Sequence, residues 1–336
     1  MSADADSDVL RDRLARLGVI APDESPAMTP LTGGVSSHIW RVDTRRGPVC
    51  VKQAVPQLKV AAHWEAPLSR SHSEADYLRA AGAIVPGRVP ALLAEDAEAA
   101  LLVLAYLAPE SHPVWKAELR DGRVSIAIAE AVGDLVVAIH AATAGDPAMA
   151  ARFDTGDAFH ALRLEPYLEA TARVHEDLAP ALEALVARTA ATKRCLVHGD
   201  VSPKNILVGP DGPVLLDAEC AWYGDPAFDL AFVLNHLLLK GLWTPQAGPD
   251  FLAAFDALAA RYLAGVGWED PAALEARAAS LLPGLFLARV DGKSPVEYVT
   301  EERDRESVRR VARRFLADPP SRLAAIRAAW HEERFA

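Results

Sequence analysis

The densest run of reactive side chains is His198-Gly199-Asp200-Val201-Ser202-Pro203-Lys204-Asn205-Ile206-Leu207-Val208. Asp200 and Asn205 stand five residues apart. A carboxylate at the first position can face an attacking hydroxyl, and an amide oxygen one turn of loop later can hold a metal ion on phosphate oxygens. Twelve residues beyond Asn205 comes Asp217, at the end of Val214-Leu215-Leu216, with Glu219 two residues further on. Mg2+ favours carboxylates together with phosphate oxygens. Upstream, Lys52 lies in a β-branched run and Glu74 follows it by 22 residues in the next helical pattern. Before both, Gly33-Gly34-Val35-Ser36-Ser37 is a glycine turn. Singly, Asp200 reads as well as a turn residue, and Asp217 as a strand-end cap. Glycine turn, strand lysine, helix glutamate, Asp, Asn and Asp in this order are what phosphoryl transfer from a nucleotide requires.

These groups need elements to hold them. Residues 31–42 read as strand, glycine turn, strand, and 45–47 as a tight turn. Residues 48–53 read as the strand bearing Lys52, and 71–81 as the helix bearing Glu74. Strands at 89–93 and 100–104 follow, with Pro109 marking the exit. Helical spacing at 8–17 precedes this β-rich part. Beyond about residue 110 the periodicity is helical: 124–142, one or two helices in 162–189, then 225–239, 249–263, 271–290, 294–317 and 321–333. A compact β insertion, 195–197, 206–208 and 214–216, interrupts the helices and carries the chemistry. The expectation is α+β organisation, with a helical extension at 1–29, a nucleotide-binding lobe at 30–108 and a helical lobe at 109–336.

The 336 residues are 51% hydrophobic and 24% charged, which excludes disorder as the main state. A net charge of −11 argues against duplex nucleic acid or an anionic membrane as partner, though not against a local basic pocket. Cys50, Cys195 and Cys220 lie too far apart for a CxxC zinc site or a disulfide framework. The polar, acidic N-terminus resembles no secretory signal, and the apolar runs 99–105 and 230–239 fall short of the roughly 20 residues of a spanning helix. The expected setting is cytoplasmic.

With these residues in place, the sequence resembles the aminoglycoside phosphotransferase and choline kinase-like superfamily, over about residues 31–314. HGDVSPKNILV is similar to its HGD-x4-N motif, and GDPAFDLA to the segment after its metal site. The resemblance implies a bilobal protein-kinase-like fold, ATP and Mg2+ as cofactors, and transfer of the γ-phosphate to a hydroxyl of a small molecule. It implies Asp200 as catalytic base or hydroxyl-orienting group. Asn205 and Asp217 would bind Mg2+, with Glu219 completing a DxE pattern. Lys52 would hold the α- and β-phosphates, tethered by Glu74. Gly33, Gly34, Ser36 and Ser37 would cover the phosphates, and backbone from Ala105 to Leu107 would bond the adenine. Asp229 would brace the catalytic loop, and His198 reads as a brace rather than a base. Two stretches are closer to methylthioribose kinases: Val51-Lys52-Gln53-Ala54-Val55-Pro56 through Trp64, and Asp217-Ala218-Glu219-Cys220-Ala221-Trp222-Tyr223-Gly224. They favour a methylthioribose-type sugar. Asn205 departs from that family's usual Ser, and Arg289 lacks its twin arginine. An amino alcohol, an aminoglycoside, or a nucleotide-binding pseudokinase module remain as alternatives, while a protein kinase would need D-F-G and A-P-E segments that are missing.

For the acceptor, Arg289, Asp291 and Lys293 sit in a break between two helical patterns. They read as a substrate-contacting turn or as a solvated corner capped by Ser294. Trp64, Trp222 and Tyr223 read as pocket walls or as core. His140, on an apolar helix, reads as a packing residue. The expected partner is a small-molecule hydroxyl acceptor, bound by a monomer or homodimer.

Overall fold

The computed structural model describes residues 3–31, 36–57 and 67–335. Gly33, Gly34 and Trp64 lie outside the described residues. The chain divides into two compact units, Met1–Ala108 and Pro109–Ala336.

The first unit is an antiparallel sheet in the order β1-β2-β3-β5-β4. Its strands are β1 (Ala27–Pro30), β2 (Ser37–Thr44), β3 (Gly47–Ala54), β4 (Leu92–Asp96) and β5 (Leu101–Ala105). Period-2 alternation puts Val49 and Val51 of β3, Val42 of β2, and Leu101 and Val103 of β5 into one core. Leu10 and Leu14 of helix α1 (Ala3–Arg16) and Ile20 fill the same core. The N-terminal segment is therefore built into this unit, and β1 extends the sheet from within it. Lys52, in the next register position, pairs across to Ile39 and Leu102 near the middle of the sheet. β4 begins later than the apolar run at 89–93 suggests, because Pro90 offers no N–H to a ladder. Helix α2 (Arg70–Ile84) carries Glu74.

The second unit is mostly helical. Helix α3 (Ile126–Thr143) is capped by Ser125, whose Oγ accepts from the Ile128 N–H. By length and composition α3 could cross a membrane, with mean hydropathy 1.6. Here Val132, Leu135, Val136 and Ile139 are buried, and a Cβ at Gly133 would lie 2.7 Å from the Leu258 carbonyl. Such close backbone approach marks a packed core helix. The 162–189 region is helical in two stretches that break at His175. His160–Glu169 is π-helical around Pro166 and runs on into an α-helical turn at Ala170–Val174, and α4 (Ala179–Ala191) follows. β6 (Cys195–Val197) pairs with β9 (Trp222–Gly224), a strand without its own sequence signal, and β7 (Ile206–Gly209) forms a hairpin with β8 (Gly212–Leu215). Helices α5 (Ala227–Trp243), α6 (Gly248–Ala264), α7 (Pro271–Asp291), α8 (Glu302–Ala317) and α9 (Leu323–Phe335) follow. The stretch 294–301, expected as helix, is irregular, and α8 starts only after Glu301.

Candidate active site

In the first unit Lys52 and Glu74 form a closed pair. The Lys52 Nζ lies 2.9 and 2.7 Å from the two carboxylate oxygens of Glu74, and both side chains are buried. This fixes an ammonium at one point of the sheet. Buried Arg70, four residues before Glu74, donates to the carbonyls of Ser36 (2.7 Å), Val55 (2.6 Å) and Pro67 (3.0 Å). It thereby anchors the backbone at Ser36, beside Ser37 at the start of β2. Sequence reading missed Arg70, since a lone arginine opening a helix carries no motif. The Ala105 N–H donates to the Ala91 carbonyl at 2.9 Å and so is not open to an adenine. Leu107 lies past the end of β5 in irregular backbone, half-buried. Burial pushes the Cys50 thiol up to about 11, so it is no thiolate nucleophile.

In the second unit the Asp200 loop is fixed by its neighbours. Gly199 has φ +78°, and a Cβ there would lie 2.7 Å from the Cys220 carbonyl, so the sharp turn before Asp200 accepts only glycine. The carboxylate of Asp229, on the first turn of α5, accepts from the N–H groups of His198 and Gly199, both at 2.8 Å. His140 lies with Nε2 3.2 Å from Asp229 and Nδ1 2.7 Å from the Tyr262 hydroxyl. His198 Nδ1 accepts from the Asp200 N–H at 3.1 Å, which leaves Nε2–H to donate to the Leu216 carbonyl at 3.1 Å. Burial holds the His198 pKa below its ordinary value, so the ring is a neutral brace.

The Asp200 carboxylate meets two cations. Arg163 lies 2.8 Å away and Lys204 3.2 Å. Burial alone would raise the Asp200 pKa, but these two charges outweigh it and hold the carboxyl below the usual range. Arg163 projects from the π-helical segment, and its Nε also donates to the Gly199 carbonyl at 2.6 Å. π-turns of this kind often mark functional sites. Arg163 went unread in the sequence because nothing around Leu162-Arg163-Leu164 sets it apart from a solvated helix arginine. Lys204 stood within the motif without an assigned role.

Asn205 and Asp217 are brought together by the β7–β8 hairpin. The Leu216 N–H donates to the Asn205 carbonyl at 2.8 Å, so Asp217 leaves the hairpin beside Asn205. Asp217 has φ +64°, a left-handed conformation rare outside glycine and typical of constrained sites. The Asn205 Nδ2 donates to the Asp200 carbonyl at 3.2 Å, leaving Oδ1 as the amide's acceptor. With Glu219, the donor set is oxygen only, as a hard cation requires. Among the described residues no group of three or more His, Cys, Asp or Glu forms a metal cage unaided.

The acceptor candidates fall differently. Both Asp291 oxygens are held by Arg309, at 2.7 and 2.9 Å, and one also faces His175. Lys293 is paired with Glu165 at 2.7 and 2.8 Å. Both side chains are engaged in ion pairs within the chain. Trp222 is a core residue. Its ring stacks on Phe159 at 4.1 Å and carries the Lys193 ammonium 4.1 Å from its centre, so both faces are covered. A cavity of about 430 Å³ opens beside it, lined also by Asp154, Asp157 and His160, and Asp200 is not among its walls. Arg289 bonds the Tyr167 hydroxyl at 3.2 Å and Ser294, with its Nε buried and unbonded among the described residues.

Residues 27–276 match the phosphotransferase enzyme family, most of the chain. The chain belongs to that family. Methylthioribose kinase of Yersinia pseudotuberculosis is 28% identical over 236 residues, covering 61% of this chain and 57% of that protein. The chain thus matches little over half the length of the curated relatives. Among solved structures, amicoumacin kinase hAmiN in complex with AMP-PNP, Ca2+ and Ami is 14% identical, with TM-score 0.53, covering 96% of this chain and 98% of that one. A choline/ethanolamine kinase family protein from Mesorhizobium loti is 17% identical, with TM-score 0.50, covering 97% and 99%. At these identities the likeness is one of fold, and it agrees with the phosphotransferase family assignment.

Proposed function

We propose that the protein is an ATP-dependent small-molecule kinase that phosphorylates a hydroxyl. The observation that carries this reading is the Asp200 loop: a buried carboxylate held ionised by Arg163 and Lys204, on a backbone fixed by Asp229. Phosphoryl transfer asks mainly for positioning and charge stabilisation. Asp200 accepts the hydrogen bond of the acceptor hydroxyl and aims its oxygen at the phosphorus. A carboxylate with a depressed pKa is a weak base, so its task is orientation, with the proton leaving late. Lys52, fixed by Glu74, binds the nucleotide phosphates, and Ser36 and Ser37 flank them. Backbone at Tyr106 and Leu107, past the end of β5, would bond the adenine. Asn205 and Asp217, with Glu219 beside them, would hold Mg2+, which when bound neutralises phosphate charge.

The relatives favour a methylthioribose-type sugar as acceptor, with an amino alcohol or an aminoglycoside as the alternative. An ADP-release assay with MgATP against sugars, amino alcohols and aminoglycosides tests the reading. Acceptor-dependent release is expected. No release on any acceptor, together with no MgATP binding in calorimetry, would refute it.

A further inference from the structure

Helix α5 carries two buried basic groups that lack a counter-ion. Lys240 is 2% exposed. Its ammonium lies 4.1 Å from the centre of the Trp243 ring and 3.9 Å from that of Tyr298, and these rings stack at 4.5 Å. Among the described residues it makes no hydrogen bond and no ion pair. One turn earlier His236, 7% exposed, lies edge-on to Phe232 and is likewise unbonded among the described residues. The Tyr298 hydroxyl and the Arg289 Nε are buried with no hydrogen-bond partner among the described residues.

Arg289, Lys240, Lys204 and Lys116 all act on His236. The carboxylate acting on Lys240 is Glu297, which is already ion-paired with Lys116. Aromatic faces attract a cation but supply no hydrogen-bond acceptor in the plane where the ammonium needs one. Burial first, then Lys116 and Arg289, push the Lys240 pKa down to about 6 against Glu297. Unpaired charge and unmet donors at this depth are costly. An oxyanion beside Lys240 and Tyr298, whose ring centre lies 3.9 Å from the ammonium, would supply the missing counter-charge and acceptor.

The cluster is tied to the Asp200 loop. Lys204 reaches Asp200 at 3.2 Å and also acts on His236. Arg163, paired with Asp200, lies 5.9 Å from both the Phe232 and Tyr167 rings, the first touching His236 and the second bonded to Arg289.

We propose that the phosphoryl acceptor is a hydroxy compound bearing an oxyanion, a carboxylate or a phosphate, which seats on Lys240, Arg289 and Tyr298. The inference rests on the kinase reading and departs from it on the acceptor, since a methylthioribose-type sugar, an amino alcohol and an aminoglycoside carry no oxyanion. A cationic acceptor would meet Arg289 and Lys116 here, with the Glu297 carboxylate already paired to Lys116.

Calorimetric titration tests it, with polyols of matched skeleton in neutral, amino, carboxylate and phosphate forms, for example glucose, glucosamine, gluconate and glucose 6-phosphate. Each is titrated with and without MgADP. One acid form is expected to bind about tenfold or more tighter than its neutral partner, with the amino form weakest. Proton uptake is expected in buffers of different ionisation enthalpy, since the anion restores the Lys240 proton. The carboxylate and phosphate arms tell the two oxyanions apart. Lys240→Met should remove the preference and Lys240→Arg keep part of it, with melting curves reporting that both are folded. Acid forms that bind no tighter than the neutral ones, immeasurable binding included, would overturn the proposal, as would a preference unchanged in Lys240→Met. Failure of MgADP alone to bind would count against the kinase reading, and the titrations without nucleotide would still decide this one.

Discussion

The Asp200 carboxylate meets Arg163 at 2.8 Å and Lys204 at 3.2 Å, whereas the Lys240 ammonium, equally buried in the same unit, meets two aromatic rings and no carboxylate. The first set of charges is complete before any ligand arrives. Its members are oriented by one another and by a backbone that Asp229 holds, which is the preorganisation that phosphoryl transfer exploits. The second set is incomplete and raises the free energy of the empty protein. The contrast separates a machine part from a recognition part: one is finished by the fold, the other by what binds.

Removing a partner from the complete set should hurt most. Asp200→Ala is expected to lower kcat by roughly two to four powers of ten. It also strands Arg163 without its carboxylate, so chemical denaturation should show a loss of about 3–5 kcal/mol. Asp229→Ala removes an acceptor shared by two loop N–H groups and should cost about 2–4 kcal/mol, with turnover falling as the loop loosens. Arg163→Met removes the largest charge holding the Asp200 pKa down, and burial then pushes that pKa up. The acidic limb of the pH–kcat profile should therefore move to higher pH, which a conservative Arg163→Lys should partly reverse.

The incomplete set should respond in the opposite sense. Lys240→Met replaces an unpaired buried cation by an apolar chain of similar length, so Tm should rise. The sign with pH follows from linkage. The folded Lys240 pKa of about 6 lies below the unfolded value of about 10.4, so the unfolded chain binds more protons between those limits. Wild-type stability from this group therefore increases with pH across that window, and the Tm advantage of Lys240→Met should be largest near pH 6 and vanish near pH 10. An advantage independent of pH would mean that Lys240 keeps its proton through another contact.

What the sequence made legible divides along the same line. His198-Gly199-Asp200 with Asn205 and Asp217, and Lys52 with Glu74, are local motifs whose spacing reflects loop and hairpin geometry, so order and interval were enough. Asp229 was readable as a brace only through the family resemblance, and His140 read as a packing residue, its bond to Asp229 being tertiary. Arg163 and Arg70 were not, because their partners are 37 and 34 residues away in sequence and each bonds backbone carbonyls, which any sequence supplies. The break at 288–298 drew attention to Arg289, Asp291 and Lys293 together. Their partners, Arg309 for Asp291 and Glu165 for Lys293, are distant in sequence and carried no signal there. Lys240 carried no sequence signal, lying just past the helical pattern read at 225–239. Only the packing of Tyr298 over it, from a stretch expected to be helical, revealed a buried cation.

The central claim is that the Asp200 loop transfers a phosphoryl group to a hydroxyl. Phosphorus NMR of a reaction holding MgATP and the acceptor panel, run with wild type and the near-isosteric Asp200→Asn, tests it directly. The expected result is a new phosphomonoester resonance in the wild-type reaction that grows with ADP and is slower by about a hundredfold or more in the variant. ADP accompanied only by inorganic phosphate, or a phosphomonoester formed equally fast by Asp200→Asn, would contradict it.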